Sequence, residues 1–247
     1  MGKRRIIVAL DGMPEEEAIE MAEKVKGEVW GFKVNDLLDT MGPRQCIRAL
    51  RRYGDVMADP KLCDIPNTMS NRSRAYFGDS EERAQGLIIA PDILTIMACA
   101  GIEGMRAVVE QRNGFFSYTK IAAVTVLTSI SEEECNIIFG GPVKAKVLEF
   151  ARSALIAGCD ALVCSPQELV FLNQFPELQK LTKITPGIRP KGVDAQDQKR
   201  ISTPYQAILN GAGLLVIGRA ITQAKDPLEA VQRINEEIAE AEAEMEK

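Results

Sequence analysis

The sequence predicts an α/β fold, a (β/α)8 TIM barrel formed as a single domain over residues 1–247. Three observations carry that expectation. Short β-rich apolar runs alternate with amphipathic stretches of helical period, the mark of a mostly parallel sheet. The strand-like runs number eight, the count that closes such a barrel. The length of 247 residues suits one barrel, and no Pro/Gly/Ser-rich linker divides the chain. A doubly wound open sheet would show similar alternation and stays the competing architecture.

In chain order the strands are expected at 5–10 (RIIVAL), 29–34 (VWGFKV), 55–60 (DVMADP), 92–98 (DILTIMA), 120–127 (KIAAVTVL), 160–164 (DALVC), 183–186 (KITP) and 213–218 (GLLVIG). Helices are expected between them at 14–26, 43–52, 67–76, 101–112, 143–157, 167–173, 203–210 and 227–245. Gly27 and Gly158 stand where two of these helices should stop. Asp226-Pro227 reads as an N-cap followed by proline in the first turn. The stretch 77–91, FGDSEERAQGLIIAP, is long for a connection and reads as an extra helix or packed insertion. The acidic tail INEEIAEAEAEMEK is expected to be helical with a frayed, solvated end.

Composition narrows the function. Hydrophobic residues make up 46% of the chain, ample for a core, and the net charge is −5. A broad nucleic-acid surface needs a Lys/Arg excess, so none is expected. No apolar run approaches the roughly 18 residues of a membrane span. The basic start leads to an apolar run that ends at Asp11, too short for a secretion signal. The six cysteines form no C-x-x-C pair and read as free thiols of a reducing compartment, so a cytoplasmic location is expected. Histidine is absent altogether. That excludes a histidine general base, a Ser-His-Asp triad and a His-ligated zinc. Acid–base chemistry falls to Asp, Glu, Lys, Tyr or Cys.

Barrels carry their chemistry at the carboxyl ends of the strands. Here those ends offer Asp11, Lys33 with Asn35, then Asp59, Lys61 and Asp64, and further on Thr128 and Ser129. By strand period Asp59 and Lys61 should point to the same side, beside Asp11 and Lys33. A structural ion-pair network is the plainer alternative for such charges. Their joint position at three neighbouring strand ends favours chemistry. An ammonium flanked by Asp59 and Asp64 is held in its charged form. Lys61 therefore suits proton donation or carbanion stabilisation, not Schiff-base attack. The seventh and eighth strands run into PGIRP and IGRA, giving Pro186, Gly187, Arg189, Gly218 and Arg219. This is a barrel's usual phosphate corner, where glycine allows close backbone approach and arginine grips oxygens. The residues alone describe a barrel enzyme for a small phosphorylated substrate, making or quenching a carbanion, with no obvious metal site.

The motifs ALD (9–11), FKV (32–34), DPKLCDIPNT (59–68), VTVLTS (124–129), TPGIRP (185–190), DQKR (197–200) and VIGRAIT (216–222) span nearly the whole chain. In that order the sequence resembles the orotidine 5′-monophosphate decarboxylase family. The resemblance implies conversion of OMP to UMP and carbon dioxide in pyrimidine biosynthesis, without metal or cofactor. It implies that Asp11 and Lys33 hold the ribose, and that Lys61, set by Asp59, protonates C6. It further implies that Thr128 and Pro186 contact the pyrimidine and that Gln198, Gly218 and Arg219, with Arg189 nearby, grip the phosphate. Asp64 and Thr68 match residues lent to the neighbouring subunit of a homodimer. Where the family commonly has histidine, this chain has Cys63 and Met97. A magnesium-dependent sugar-phosphate decarboxylase or synthase of the same suprafamily shares D-x-K-x-x-D and is the alternative, disfavoured by FKV, VLTS and the PGIRP…DQKR segment.

Overall fold

A computed structural model describes residues 4–78, 81, 85, 90–115, 118–190 and 202–246. Its parallel strands run in chain order around a closed barrel: β1 (Ile6–Ala9), β2 (Gly31–Val34), β3 (Asp55–Leu62), β4 (Ile93–Met97), β5 (Lys120–Val124), β6 (Ala161–Val163), β7 (Thr182–Thr185) and β8 (Leu214–Ile217). Closure rests on β1 pairing with β8, Ile6 opposite Leu215 and Val8 opposite Ile217. That pairing decides between the barrel and the open sheet.

Strand period two divides the apolar residues between two cores. Ile7, Met57, Ile93, Ala122, Ala161, Ile184 and Val216 point inward and fill the barrel. Their neighbours along each strand, such as Ile6, Val8, Val56 and Leu94, pack outward against the helices. Burial on both faces is why these strands read as continuous apolar runs. Strand β2 passes so close to β3 that a Cβ on Gly31 would lie 1.9 Å from the Asp55 carbonyl oxygen.

The helices are α1 (Glu15–Val25), α2 (Asp36–Met41), α3 (Pro43–Leu50), α4 (Pro66–Phe77), α5 (Gly101–Phe115), α6 (Glu132–Phe139), α7 (Val143–Ala157), α8 (Leu169–Leu172), α9 (Pro204–Leu209), α10 (Arg219–Thr222) and α11 (Pro227–Met245). The expected caps are present. Asp226 accepts the Glu229 amide at 3.1 Å, and Gly158 ends α7 in the left-handed conformation at φ 85°. Three helices escaped the sequence reading. α2 and α10 span only 6 and 4 residues, too short for a 3.6-residue period to show. α6 was marked by the capping box Ser131-x-x-Glu134, in which Ser131 accepts the Glu134 amide and Glu134 accepts that of Ser131. Strand β5 also stops at Val124, short of residue 127. Most of the stretch 77–91 lies outside the described residues.

The amino-terminal face of the barrel is tied by ion pairs, Arg51 with Asp92 and Arg112 with Asp160, each at 2.8 Å. Those carboxylates also accept the amides of Val56 and Ile121, both at 2.8 Å. Among the described residues, no helix is long and apolar enough to cross a membrane.

Candidate active site

The carboxyl ends of β1, β2 and β3 assemble a row of alternating charge. Lys33 Nζ donates to both oxygens of Asp11 at 2.7 Å and lies 3.1 Å from Asp59 Oδ2. Lys61 Nζ donates to that same Oδ2 at 2.7 Å. Two ammoniums therefore share one carboxylate oxygen. Asn35 donates from its side chain to the Asp59 backbone carbonyl at 2.5 Å.

Burial sets the electrostatics of the row. Lys33 is only 8% exposed and Asp59 4%. Burial alone works to lower the Lys33 pKa, but attraction from Asp59 and then Asp11 outweighs it and raises the pKa above the ordinary lysine value. The ammonium is thus locked in its charged form.

Asp59 and Lys61 meet as expected, though not by simple strand alternation. Asp59 follows Met57 inward in regular register. Beyond it the register with β4 slips: Ala58 pairs with Leu94, and Leu62 with Ile96. Asp59, Pro60 and Lys61 all lie opposite the single residue Thr95. Lys61 sits at φ 46°, in the left-handed region that non-glycine residues rarely occupy. Proline lacks a ladder donor and belongs at such a bulge, so Pro60 was the signal that the alternation would break. Asp64 does not flank Lys61. Its carboxylate is exposed and accepts the Ile65 amide at 2.8 Å, leaving Asp59 as the carboxylate paired with Lys61 among the described residues.

Two adjoining cavities open above the row. One, of about 190 Å³, is lined by Lys33, Asp59 and Lys61 on one side and by Val126, Thr128, Cys164 and Pro186 on the other. The second, of about 260 Å³, is lined by Asp11, Lys33, Pro186, Gly187, Arg189, Gly218 and Arg219. They share Lys33, Pro186 and Val216. The first combines charge with an apolar wall; the second gathers both arginines. Gly187, at φ 79°, makes the turn out of β7. Arg189 is held by its amide donating to Ser202 O at 2.9 Å, while the Ser202 amide donates to Gly187 O at 3.2 Å.

Nine of the residues singled out by sequence come together at this mouth. Lys33, Asp59, Lys61, Thr128, Pro186, Asp11, Arg189, Gly218 and Arg219 line the cavities. Thr68, half-buried in the first turn of α4, and exposed Asp64 are not among their lining residues. Gln198 lies outside the described residues. Thr95 was missed: it is fully buried on β4, accepts the Lys61 amide at 3.0 Å and donates to Asp59 Oδ1 at 2.7 Å. Among the described residues, no three His, Cys, Asp or Glu side chains are grouped to hold a metal ion.

Comparison with known proteins agrees with the barrel fold. The model of the orotidine 5′-phosphate decarboxylase / HUMPS family matches residues 4–234. An orotidine 5′-phosphate decarboxylase of Thermobifida fusca is 39% identical over 239 residues, covering 94% of this chain and 95% of the relative. One of Nitrosococcus oceani is 35% identical over 245 residues, covering 97% and 99%. The crystal structure of the Lactobacillus acidophilus orotidine 5′-phosphate decarboxylase superposes with a TM-score of 0.76 at 29% identity, covering 96% of this chain and 99% of that one. The chain belongs to the orotidine 5′-phosphate decarboxylase / HUMPS family.

Proposed function

We propose that this chain decarboxylates orotidine 5′-phosphate to UMP, a step of pyrimidine biosynthesis. The observation that carries the reading is the Asp11–Lys33–Asp59–Lys61 row, which ends in a lysine beside an apolar cavity and adjoins an arginine-bearing one. The pyrimidine fills the first cavity against Thr128 and Pro186. Asp11 and Lys33 hold the ribose between the cavities. Arg189, Arg219 and the Gly218 backbone bind the phosphate in the second, joined by Gln198.

In the reaction the bond between C6 and its carboxylate breaks, carbon dioxide leaves, and the electron pair stays on C6. The Lys61 ammonium stabilises that carbanion and then transfers a proton to it, regaining one from solvent. Asp59 aims Lys61 and faces the departing carboxylate. Two carboxylates about 4 Å apart at an effective dielectric near 20 repel by roughly 4 kcal/mol, and loss of carbon dioxide relieves that repulsion. Phosphate binding, remote from C6, supplies energy to hold the substrate in this strained position. None of these steps draws on a metal or cofactor.

The working unit in this reading is a cytoplasmic homodimer. Asp64 and Thr68 reach the partner's site, and the exposed side chain of Ile65, 67% accessible beside Asp64, supports a covered face there. The activity is tested by following orotidine 5′-phosphate absorbance with purified protein in excess chelator. No absorbance loss at micromolar enzyme sinks the reading, and activity that needs added magnesium favours the sugar-phosphate alternative. Mixing inactive Lys61→Ala and Asp64→Ala chains should restore part of the activity. No recovery after verified subunit exchange removes the shared site.

A further inference from the structure

We propose that Thr95 is a positioning residue for the decarboxylation, its hydroxyl fixing the Asp59–Pro60–Lys61 bulge so that the Lys61 ammonium meets C6. The proposal rests on the decarboxylase reading above. Its basis is the placement of one buried hydroxyl. Thr95 follows Ile93 on the inward face of β4 and is fully buried. It is the only β4 residue between the Ala58–Leu94 and Leu62–Ile96 pairs, so it alone stands across from the bulge.

A threonine hydroxyl has one proton to give and lone pairs to accept with, and Thr95 uses both. It donates to Asp59 Oδ1 at 2.7 Å and accepts the Lys61 backbone amide at 3.0 Å. Asp59 Oδ2 is occupied by the two ammoniums. The carboxylate is therefore held at both oxygens, and Asn35, just past the end of β2, fixes its backbone. The amide bond matters because Lys61 occupies the left-handed region at φ 46°. A lysine left to itself relaxes from there to extended backbone. That relaxation swings the side chain and carries Nζ away from the cavity. A valine has the same shape and no hydroxyl, and it leaves both the Lys61 amide and Asp59 Oδ1 without this partner. In the decarboxylase reading the phosphate and ribose are held by Asp11, Lys33, Arg189, Gly218 and Arg219, not by these two groups, so the effect falls on the chemical step and not on nucleotide binding.

The test compares Thr95→Val and Thr95→Ser with the unaltered enzyme. A hydrogen bond to a charged group corresponds to about a ten- to hundredfold change, so Thr95→Val should lose about that factor in kcat. UMP affinity should stay within about threefold, and Thr95→Ser should recover kcat to within about threefold, as its hydroxyl restores both bonds. In the crystal structure of Thr95→Val the Lys61 φ should leave the positive region and the Nζ–Asp59 contact should lengthen. If valine prevents folding, Thr95→Ala serves as the hydroxyl-free variant. A hydroxyl-free variant with unchanged kcat overturns the proposal, as does a serine variant as defective as the valine one. An inactive unaltered enzyme instead refutes the decarboxylase reading itself.

Discussion

Replacing Asp59 with asparagine probes the charge row most directly. The amide keeps the carboxylate's shape and removes its charge from between two ammoniums, 3.1 Å from Lys33 and 2.7 Å from Lys61. A unit pair at about 3 Å and an effective dielectric of about 20 is worth roughly 5–6 kcal/mol before desolvation. Breaking a buried pair by removing one partner costs about 3–5 kcal/mol. The Lys61 side chain is 35% exposed, so solvent screens its share, whereas those of Lys33 and Asp59 are 10% and 6% exposed. Most of the cost therefore comes from Lys33, which keeps its bonds to Asp11 at 2.7 Å, so the lower end, about 3 kcal/mol, is expected. The two ammoniums, less than about 6 Å apart, also lose the charge that separates them. Urea unfolding measures the stability term. Kinetics with orotidine 5′-phosphate measure the other consequence. A misaimed Lys61 lowers kcat by about a hundredfold or more, while removal of the repelling carboxylate lowers KM, the signature of relieved ground-state strain. A variant within about 0.5 kcal/mol of the unaltered protein, turning over at a similar rate, refutes the reasoning.

Three further outcomes follow from the same geometry. Lys61→Ala should abolish turnover while UMP binding persists, measured by calorimetry, because the proposed reading has Lys61 act on C6 and not on the phosphate. Arg219→Ala should raise KM for orotidine 5′-phosphate about ten- to a hundredfold and leave the slow turnover of unphosphorylated orotidine unchanged. Lys33 has a folded pKa above its ordinary 10.5. Its contribution to stability is fully present below that value and is lost as pH rises through the folded one. Urea unfolding of the unaltered protein should therefore decline with pH above about 10.5 by a component that Lys33→Met lacks.

Much of this molecule was legible in the chain because the relevant signals are local. Eight apolar runs and the helices between them follow from periodicity, and strand ends followed by Asp, Lys or Gly-Arg mark the mouth. Helix α6 could have been read from Ser131 and Glu134, and the break in β3 from Pro60. Asp64 misled for a geometric reason: adjacency in sequence suggested a flank for Lys61, but the chain turns after Leu62 and sends the carboxylate to the Ile65 amide.

What the sequence by itself determined is the set of elements and the chemical groups at their ends, since both depend on short-range periodicity and residue type. Only the tertiary structure decided that β1 meets β8, that Lys33 and Lys61 share one oxygen of Asp59, and that Thr95 holds the bulge. Those facts depend on register between strands far apart in sequence. A slip of two residues between β3 and β4 turns an ordinary strand end into a lysine aimed at a cavity.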